Sequence, residues 1–252
     1  MSISGIVITK NEEKMLGEAL KSLSWVDDLI VVDTGSTDKT IQIAKKNRAR
    51  IVHSDGKNFS DWRNHGLKIS KNDWVLYLDA DERITPELKN EILESMVGSK
   101  FGAYAIPRKN IILGQEFKHG GQYPDYVKRL YKRIDLKKWI GNLHEEPVFE
   151  GELGHLNNPM IHLKHETISE MIDKTNKWSE IEAKLMLDAK HPPMNIPRFV
   201  SAAIREFWKR IIIELAFLDG PNGFIYGMYQ VFSRIVSYTK LWEMQLKEGI
   251  VK

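Results

Sequence analysis

The chain has 252 residues, 42% hydrophobic and 28% charged, an ordinary globular composition that excludes a disordered or collagen-like protein. Its 37 Lys and Arg against 34 Asp and Glu leave a net charge of +3, too balanced for bulk electrostatics to be the function, so nucleic acid is not implied as a partner. The absence of cysteine excludes disulfides, zinc knuckles and thiol catalysis. Met1–Lys10 holds one short apolar segment followed at once by Asn11-Glu12-Glu13, so no signal peptide is expected. No uncharged apolar run reaches transmembrane length; Phe224–Leu241 carries Arg234 and Lys240.

The first hundred residues alternate strand and helix signals. Ile3–Thr9 is a β-branched run that reads as a buried strand. Glu12–Leu23 places Met15, Leu16, Ala19, Leu20 and Leu23 at helical spacing. Leu29–Asp33 is a second strand, followed by the turn Thr34-Gly35-Ser36-Thr37, whose Ser36 or Thr37 is expected to cap a helix reaching Lys46. Arg50–His53 is a third strand, Phe59–Ile69 a helix and Trp74–Leu78 a fourth strand. Thr85-Pro86-Glu87 reads as a cap with proline at the first helical position, opening a helix to Met96. Strands separated by helices predict an α/β fold with a mostly parallel central sheet flanked by helices. Ligands of such sheets bind outside the carboxyl ends of the strands, where Asp33 and Asp79 both fall.

Residues 101–163 read as short mixed strands. Arg108–Lys138 holds nine Lys or Arg against three Asp or Glu, an excess of 9 − 3 = +6, which is either a solvated face or an anion-facing surface. The tail is helical. Ser169–Ala189 carries Ile172, Thr175, Ile181, Leu185 and Leu187 in a loose stripe, and Phe199–Leu218 carries Phe199, Ala203, Phe207, Ile211 and Leu215 on one side. Asp219-Gly220-Pro221 is expected to stop that helix, and Phe224–Leu246 is apolar on most faces. The tail closes the protein's own core or forms a homodimer interface, or it lies in a membrane interface, where its Trp, Tyr and basic residues suit the headgroup layer.

The sharpest chemical signal is Asp79-Ala80-Asp81 at the end of an apolar strand. Two carboxylates so placed can converge on one divalent cation, Mg or Mn, that keeps coordination places for diphosphate oxygens. Asp33 can accept hydrogen bonds from a base N–H or a ribose hydroxyl, and Arg63 can reach a nucleotide. No G-x-G-x-x-G follows the first strand and no P-loop is present.

Taken in order, Ile8-Thr9-Lys10-Asn11-Glu12-Glu13, Val31-Val32-Asp33-Thr34-Gly35-Ser36-Thr37-Asp38, Arg63-Asn64 and Leu78-Asp79-Ala80-Asp81-Glu82 resemble the family 2 glycosyltransferases of the GT-A fold. Pro124-Asp125, Arg129-Leu130-Tyr131, Trp139-Ile140-Gly141 with His144-Glu145, and His162-Leu163-Lys164-His165 further resemble the subgroup acting on lipopolysaccharide core or related surface glycans. The resemblance implies a GT-A domain over 1–168, with 1–100 as its nucleotide-sugar half and 101–168 as its acceptor half, and a helical extension over 169–252. It implies an inverting, metal-dependent transfer of a hexose from a nucleotide-sugar donor, UDP-sugar first, to a glycan or lipid-linked saccharide acceptor. By the same resemblance Thr9, Asn11, Glu12 or Glu13, Asp33 and Arg63 line the nucleotide pocket, Asp79 contacts ribose or metal, and Asp81 ligates the metal with His165 or His162. The base that takes the acceptor proton is assigned to Glu145, with Asp125 and Glu146 in reserve. A cytoplasmic, membrane-peripheral location follows from a lipid-linked acceptor. Two other functions fit less well. A sugar nucleotidyltransferase expects a Gly-rich basic loop where Thr9-Lys10-Asn11-Glu12 stands, and a non-catalytic nucleotide-sugar or membrane scaffold does not need both Asp81 and a base.

Overall fold

The strand β1 (Ile3–Thr9) is the hub of the sheet in the computed structural model, which describes residues 1–141 and 145–251. The chain divides into two compact units, Met1–Lys109 with Asp125–His162, and Asn110–Pro124 with Leu163–Lys252.

In the first unit β1 is followed by α1 (Leu16–Ser22), β2 (Asp28–Asp33), α2 (Thr40–Lys46), β3 (Arg50–His53), α3 (Phe59–Ile69), β4 (Trp74–Asp79), β5 (Glu82–Arg83) and α4 (Pro86–Met96). Strand β1 pairs in parallel with β2 on one side and β4 on the other, and β3 lies outside β2. Successive side chains of a strand point to opposite faces. Ile3 and Val7 of β1 therefore pack with Leu76 and Leu78 of β4 against Leu16 and Leu20 of α1 and Leu88 and Ile92 of α4. Ile6 packs on the other face with Ile30, Val32 and Tyr77 against Leu67 of α3. Apolar burial on both faces is why these strands read as unbroken Val, Ile and Leu runs. Helix α3 comes so close to β1 that a Cβ on Gly66 would lie 2.7 Å from Ile6 Cγ2.

The expected boundaries of β1, β3 and α3 match residue for residue, and Thr85 caps α4 by accepting the Leu88 N–H with Pro86 behind it. Two expectations need correction. Helix α1 starts at Leu16 rather than Glu12, and neither Ser36 nor Thr37 caps α2, which starts at Thr40 behind Lys39 with no side-chain cap. The cause is one set of hydrogen bonds. The backbone N–H groups of Asn11, Glu12 and Glu13 donate to the side chains of Ser36, Thr40 and Asp38, and the Thr37 N–H donates to Asn11 Oδ1. Two loops tie each other down instead of starting helices.

Beyond residue 100 come β6 (Phe101–Ile112), β7 (Gln115–Glu116), β8 (Asp125–Lys132), β9 (Leu136–Ile140), β10 (Glu146–Phe149), β11 (Glu152–His155) and β12 (Met160–His165). The sheet order is β3-β2-β1-β4-β8-β6-β12-β5, with β7 and β11 also on β6, while β9 and β10 form a separate antiparallel pair. Its first four strands are parallel, but β8 pairs antiparallel to both β4 and β6. Beyond Met96, where the crossover helices end, antiparallel pairs appear, while β11 still pairs in parallel with β6.

In the second unit, α5 (Ile168–Asp188) is capped by Thr167, and the rest of the tail differs from expectation. The helix expected over Phe199–Leu218 is α6 (Ile196–Phe207), then a π-helical turn over Trp208–Ile213, a left-handed Leu215 (φ 54°) and a 3-10 turn over Ala216–Asp219. Gly220-Pro221 opens α7 (Gly220–Lys247), with proline in its first turn. Asp219 does not cap α7, because its carboxylate accepts the N–H groups of Lys118 and His119. Met171 of α5 meets Tyr226 of α7, Phe117 and Ile112 in one small core, and Ala183 of α5 meets Leu241 of α7 and Met194 in another.

Candidate active site

The carboxyl ends of β2 and β4 lie on either side of the end of β1, with Asp33 opposite Thr9 and Asp79 opposite Ile8. Two strand spacings put the two aspartates about 10 Å apart along one edge of the sheet. Thr9, Asn11, Glu12, Glu13 and Asp33 thus meet in one corner of that edge.

Asp33 is 1% exposed. Its carboxylate accepts the Gly35 N–H (3.1 Å) and the Ser36 N–H (3.2 Å), and His53 Nδ1 lies 3.2 Å away. Burial alone would raise this carboxyl; the hydrogen bonds from Ser36, Gly35 and His53 outweigh it and hold the group below the usual carboxylate range. Asn11 and Glu13 are held by the facing loop, Glu13 Oε2 accepting the Lys39 N–H at 3.1 Å. Thr9 is buried beneath these loops.

The other corner is charged. Arg63 projects from α3, buried at 4% exposure, with its guanidinium 4.8 Å from the Trp139 ring centre and 5.4 Å from that of Tyr77. It donates to Asp79 Oδ1 (3.3 Å) and, through both Nε (3.1 Å) and Nη2 (3.0 Å), to Glu145 Oε1. Arg129 of β8 binds Asp79 Oδ2 and, at 2.7 Å, Glu82 Oε1. Glu82 is fully buried; its other oxygen accepts the Asp79 N–H at 3.0 Å, and Arg108 approaches Oε1 at 3.5 Å. Burial would raise Asp79, but Arg129, Arg63 and Arg108 outweigh it and hold the carboxyl far below its ordinary range. The same charges of Asp79 and Glu82 keep Arg129 protonated against the penalty of burial. The Asp79 side chain nevertheless keeps 38% of its surface open.

That open edge faces a cavity of about 490 Å³ lined by Arg63, Asp79, Arg108, Lys128, Arg129 and Glu145, with Trp139, Tyr126 and Glu146 among the rest of its wall. The sequence reading missed Arg108, Arg129 and Glu82 as parts of this site. Arg108 and Arg129 fell in the basic excess of Arg108–Lys138, where charge counts do not tell a buried guanidinium from a solvated one, and Arg129 and Glu82 stood in the quoted motifs without a role of their own.

The other expected residues fall as follows. Asp81 Oδ2 lies 3.6 Å from His162 Nε2, since β12 pairs with β5 at His162 and Glu82. His165 belongs to the second unit, where Nδ1 is 4.0 Å from Glu170 Oε1 and its ring packs near Tyr226 and Tyr229. Among the described residues no three His, Asp or Glu side chains form a ready-made metal cluster. Asp125 is engaged by Arg108 at 2.7 Å, and Glu146 is exposed with Lys128 at 3.4 Å. His144 lies outside the described residues.

Comparison with known proteins gives the family and the fold. Residues 4–149 match the family model described as glycosyl transferase family 2. The chain is 31% identical over 260 residues to an uncharacterised glycosyltransferase of Rickettsia bellii, covering 97% of this chain and 87% of that protein. It is 25% identical over 209 residues to the lipopolysaccharide core biosynthesis glycosyltransferase LpsC of Rhizobium meliloti, covering 77% and 74%. The crystal structure of S. aureus TarS 1–349 overlays with a TM-score of 0.50 at 17% identity, covering 99% of this chain and 92% of that one, a likeness of fold alone. The mixed α/β architecture is therefore of the GT-A type, and the chain belongs to glycosyltransferase family 2.

Proposed function

We propose that the protein moves a hexose from a nucleoside-diphosphate sugar, UDP-sugar first, to a saccharide acceptor of the lipopolysaccharide-core or surface-glycan kind, with inversion at the anomeric carbon. The observation that carries this reading is the strand-end edge itself. Asp33 ends one strand, Asp79 ends the next but one, and Asp79 opens into a cavity of about 490 Å³ with four cationic side chains in its wall. Residues 1–100 supply the nucleotide-sugar half, 101–168 the acceptor half and 169–252 the extension.

In this reading Thr9, Asn11, Glu12, Glu13 and Asp33 border the nucleoside, and the open edge of Asp79 meets the ribose. Asp81 and His162 are the pair that would hold Mg or Mn. Their oxygen and nitrogen donors face each other at 3.6 Å, and two protein ligands leave coordination places for diphosphate oxygens. When bound, such an ion neutralises charge on the leaving nucleoside diphosphate. His165 lies in the second unit beside Glu170 and is not part of this pair. Arg63 holds Glu145 by one oxygen, stacks on Trp139 and so fixes the carboxylate at the cavity wall. Glu145 takes the proton of the acceptor hydroxyl as that oxygen bonds to the anomeric carbon and the sugar–phosphate bond breaks. Asp125 and Glu146 stand in reserve, each already paired to a cation. The tail is the membrane or homodimer element of a cytoplasmic, peripheral enzyme. No helix among the described residues is long and apolar enough to cross a membrane.

The test is release of nucleoside diphosphate from a panel of nucleotide sugars with Mn present. Glu145→Gln should cost on the order of 100-fold or more in turnover while the protein stays folded. Asp81→Ala should lose the manganese-dependent rise in melting temperature as well as turnover. Wild-type turnover by Glu145→Gln removes the base assignment, and by Asp81→Ala the metal assignment.

A further inference from the structure

Helix α6 presents an apolar stripe to water. Ile196, Val200, Ile204, Phe207 and Trp208 recur at intervals of three and four, so they share one side of the helix. Ile196 is 69% exposed, Ile204 59% and Trp208 56%. The opposite side, with Ala202 and Glu206, is buried and packs on α7. Beyond α6, Ile213 (66% exposed) and Leu218 (55%) are open to water as well. Single exposed hydrophobics are ordinary, but a contiguous run marks an interaction surface.

The charges along Ile196–Asp219 are sorted by sign. Its three acids turn inward: Glu206 and Asp219 are buried, and Glu206 and Glu214 both grip Arg210. Asp219 is taken by the Lys118 and His119 amides. The exposed charges are basic, Arg205 and Lys209, the latter also 3.8 Å from Glu214 Oε1, with Arg198 half-buried on the same side. On the helix these three lie beside the apolar stripe, between it and the packed side. A second copy docking through a two-fold axis would set this patch against itself, base against base. An anionic lipid surface satisfies both features, since aliphatic and aromatic side chains enter the acyl boundary while Arg and Lys reach the phosphates.

We propose that α6 and the turn after it form an in-plane membrane-binding surface selective for anionic lipid. This deepens the membrane part of the proposed function and rests on it only for the acceptor's lipid anchor.

The test is co-sedimentation of the full chain, without donor or acceptor, with phosphatidylcholine vesicles and with vesicles containing phosphatidylglycerol. Loss of vesicle binding and loss of glycosyl transfer are thereby read separately. The chain should bind the anionic vesicles about tenfold or more tightly than the neutral ones. Ile204→Asp/Ile213→Asp should weaken that binding at least about tenfold, and Arg205→Glu/Lys209→Glu should abolish the preference for anionic lipid. Circular dichroism checks the fold of each; if the first variant does not fold, the charge reversal carries the test alone. Absence of vesicle binding, or equal binding by wild type and folded variants, overturns the proposal. Conversion of a dimer to a monomer by Ile204→Asp/Ile213→Asp with vesicle binding unchanged overturns it in favour of a second copy.

Discussion

Asp33 and Asp79 end the two strands that flank β1, yet they are held in opposite ways. Asp33 is almost fully buried and stabilised by backbone N–H groups of its own turn with His53 beside it. Asp79 keeps an open edge and is clamped by two guanidinium groups, one from α3 and one from β8. Both carboxyls are held below their usual range, one by local dipoles and the other by distant charges. Asp33 is held by donors two and three residues along its own turn. A cluster of Arg63, Arg129, Arg108, Glu82 and Glu145 forms only when five separate segments meet, and it keeps charge at the cavity wall.

The difference can be broken most sharply at Arg129. Replacing it by Met strips the fully buried Glu82 of its close cation, and an uncompensated buried charge costs about 3–5 kcal/mol in urea unfolding. Adding Glu82→Gln to that variant should restore part of the loss, because no buried charge is then left unpaired. A loss below about 1 kcal/mol from Arg129→Met alone would mean that the cluster is not structural.

Asp33→Asn should cost less, roughly 1.5–3 kcal/mol, since it weakens charge-assisted bonds but leaves an oxygen acceptor in place. Its effect should be local, read as faster hydrogen exchange at the Gly35 and Ser36 amides with little change at β8. Equal loss of protection in both places would erase the distinction between the corners.

The smallest effect is in pH. Depressed carboxyls stabilise the fold above the unfolded-state value of about 4, and that stability is lost as pH falls through their lower folded-state values. Between pH 6 and 8 neither aspartate should alter stability. Below about pH 4 wild-type stability should fall, and Asp33→Asn and Asp79→Asn should each flatten that acid limb when unfolding is followed against pH. An unchanged acid limb in both variants would show that neither carboxyl is depressed.

The parts legible in the sequence were those set by neighbours along the chain. β1, β3 and α3 appeared at their observed boundaries, because β-branched runs and helical spacing are local patterns. The Thr85 cap and Pro86 were readable for the same reason. Ser36 and Thr37 misled, since a hydroxyl that suits a cap equally suits a bond to a facing loop: the Ser36 hydroxyl accepts the Asn11 N–H and the Thr37 hydroxyl donates to Asn11 Oδ1. The stripe Phe199, Ala203, Phe207, Ile211 and Leu215 was read as one continuous helix. A π-helical turn and a left-handed Leu215 break that helix after Phe207, and Ile211 is buried while Phe207 and Leu215 are exposed.

On its own, then, the order of residues specified a parallel four-stranded edge with acids at its strand ends, because β-branched runs, caps and turn residues act within a few positions of one another. Whether a charged side chain lies in water or in a buried ion pair is decided by segments as distant as Arg63 and Glu145, or Glu82 and Arg129. Only the folded chain brings those partners within hydrogen-bonding reach, so the arginine cluster, the pairing of Asp81 with His162 and the outward face of α6 belong to the tertiary structure.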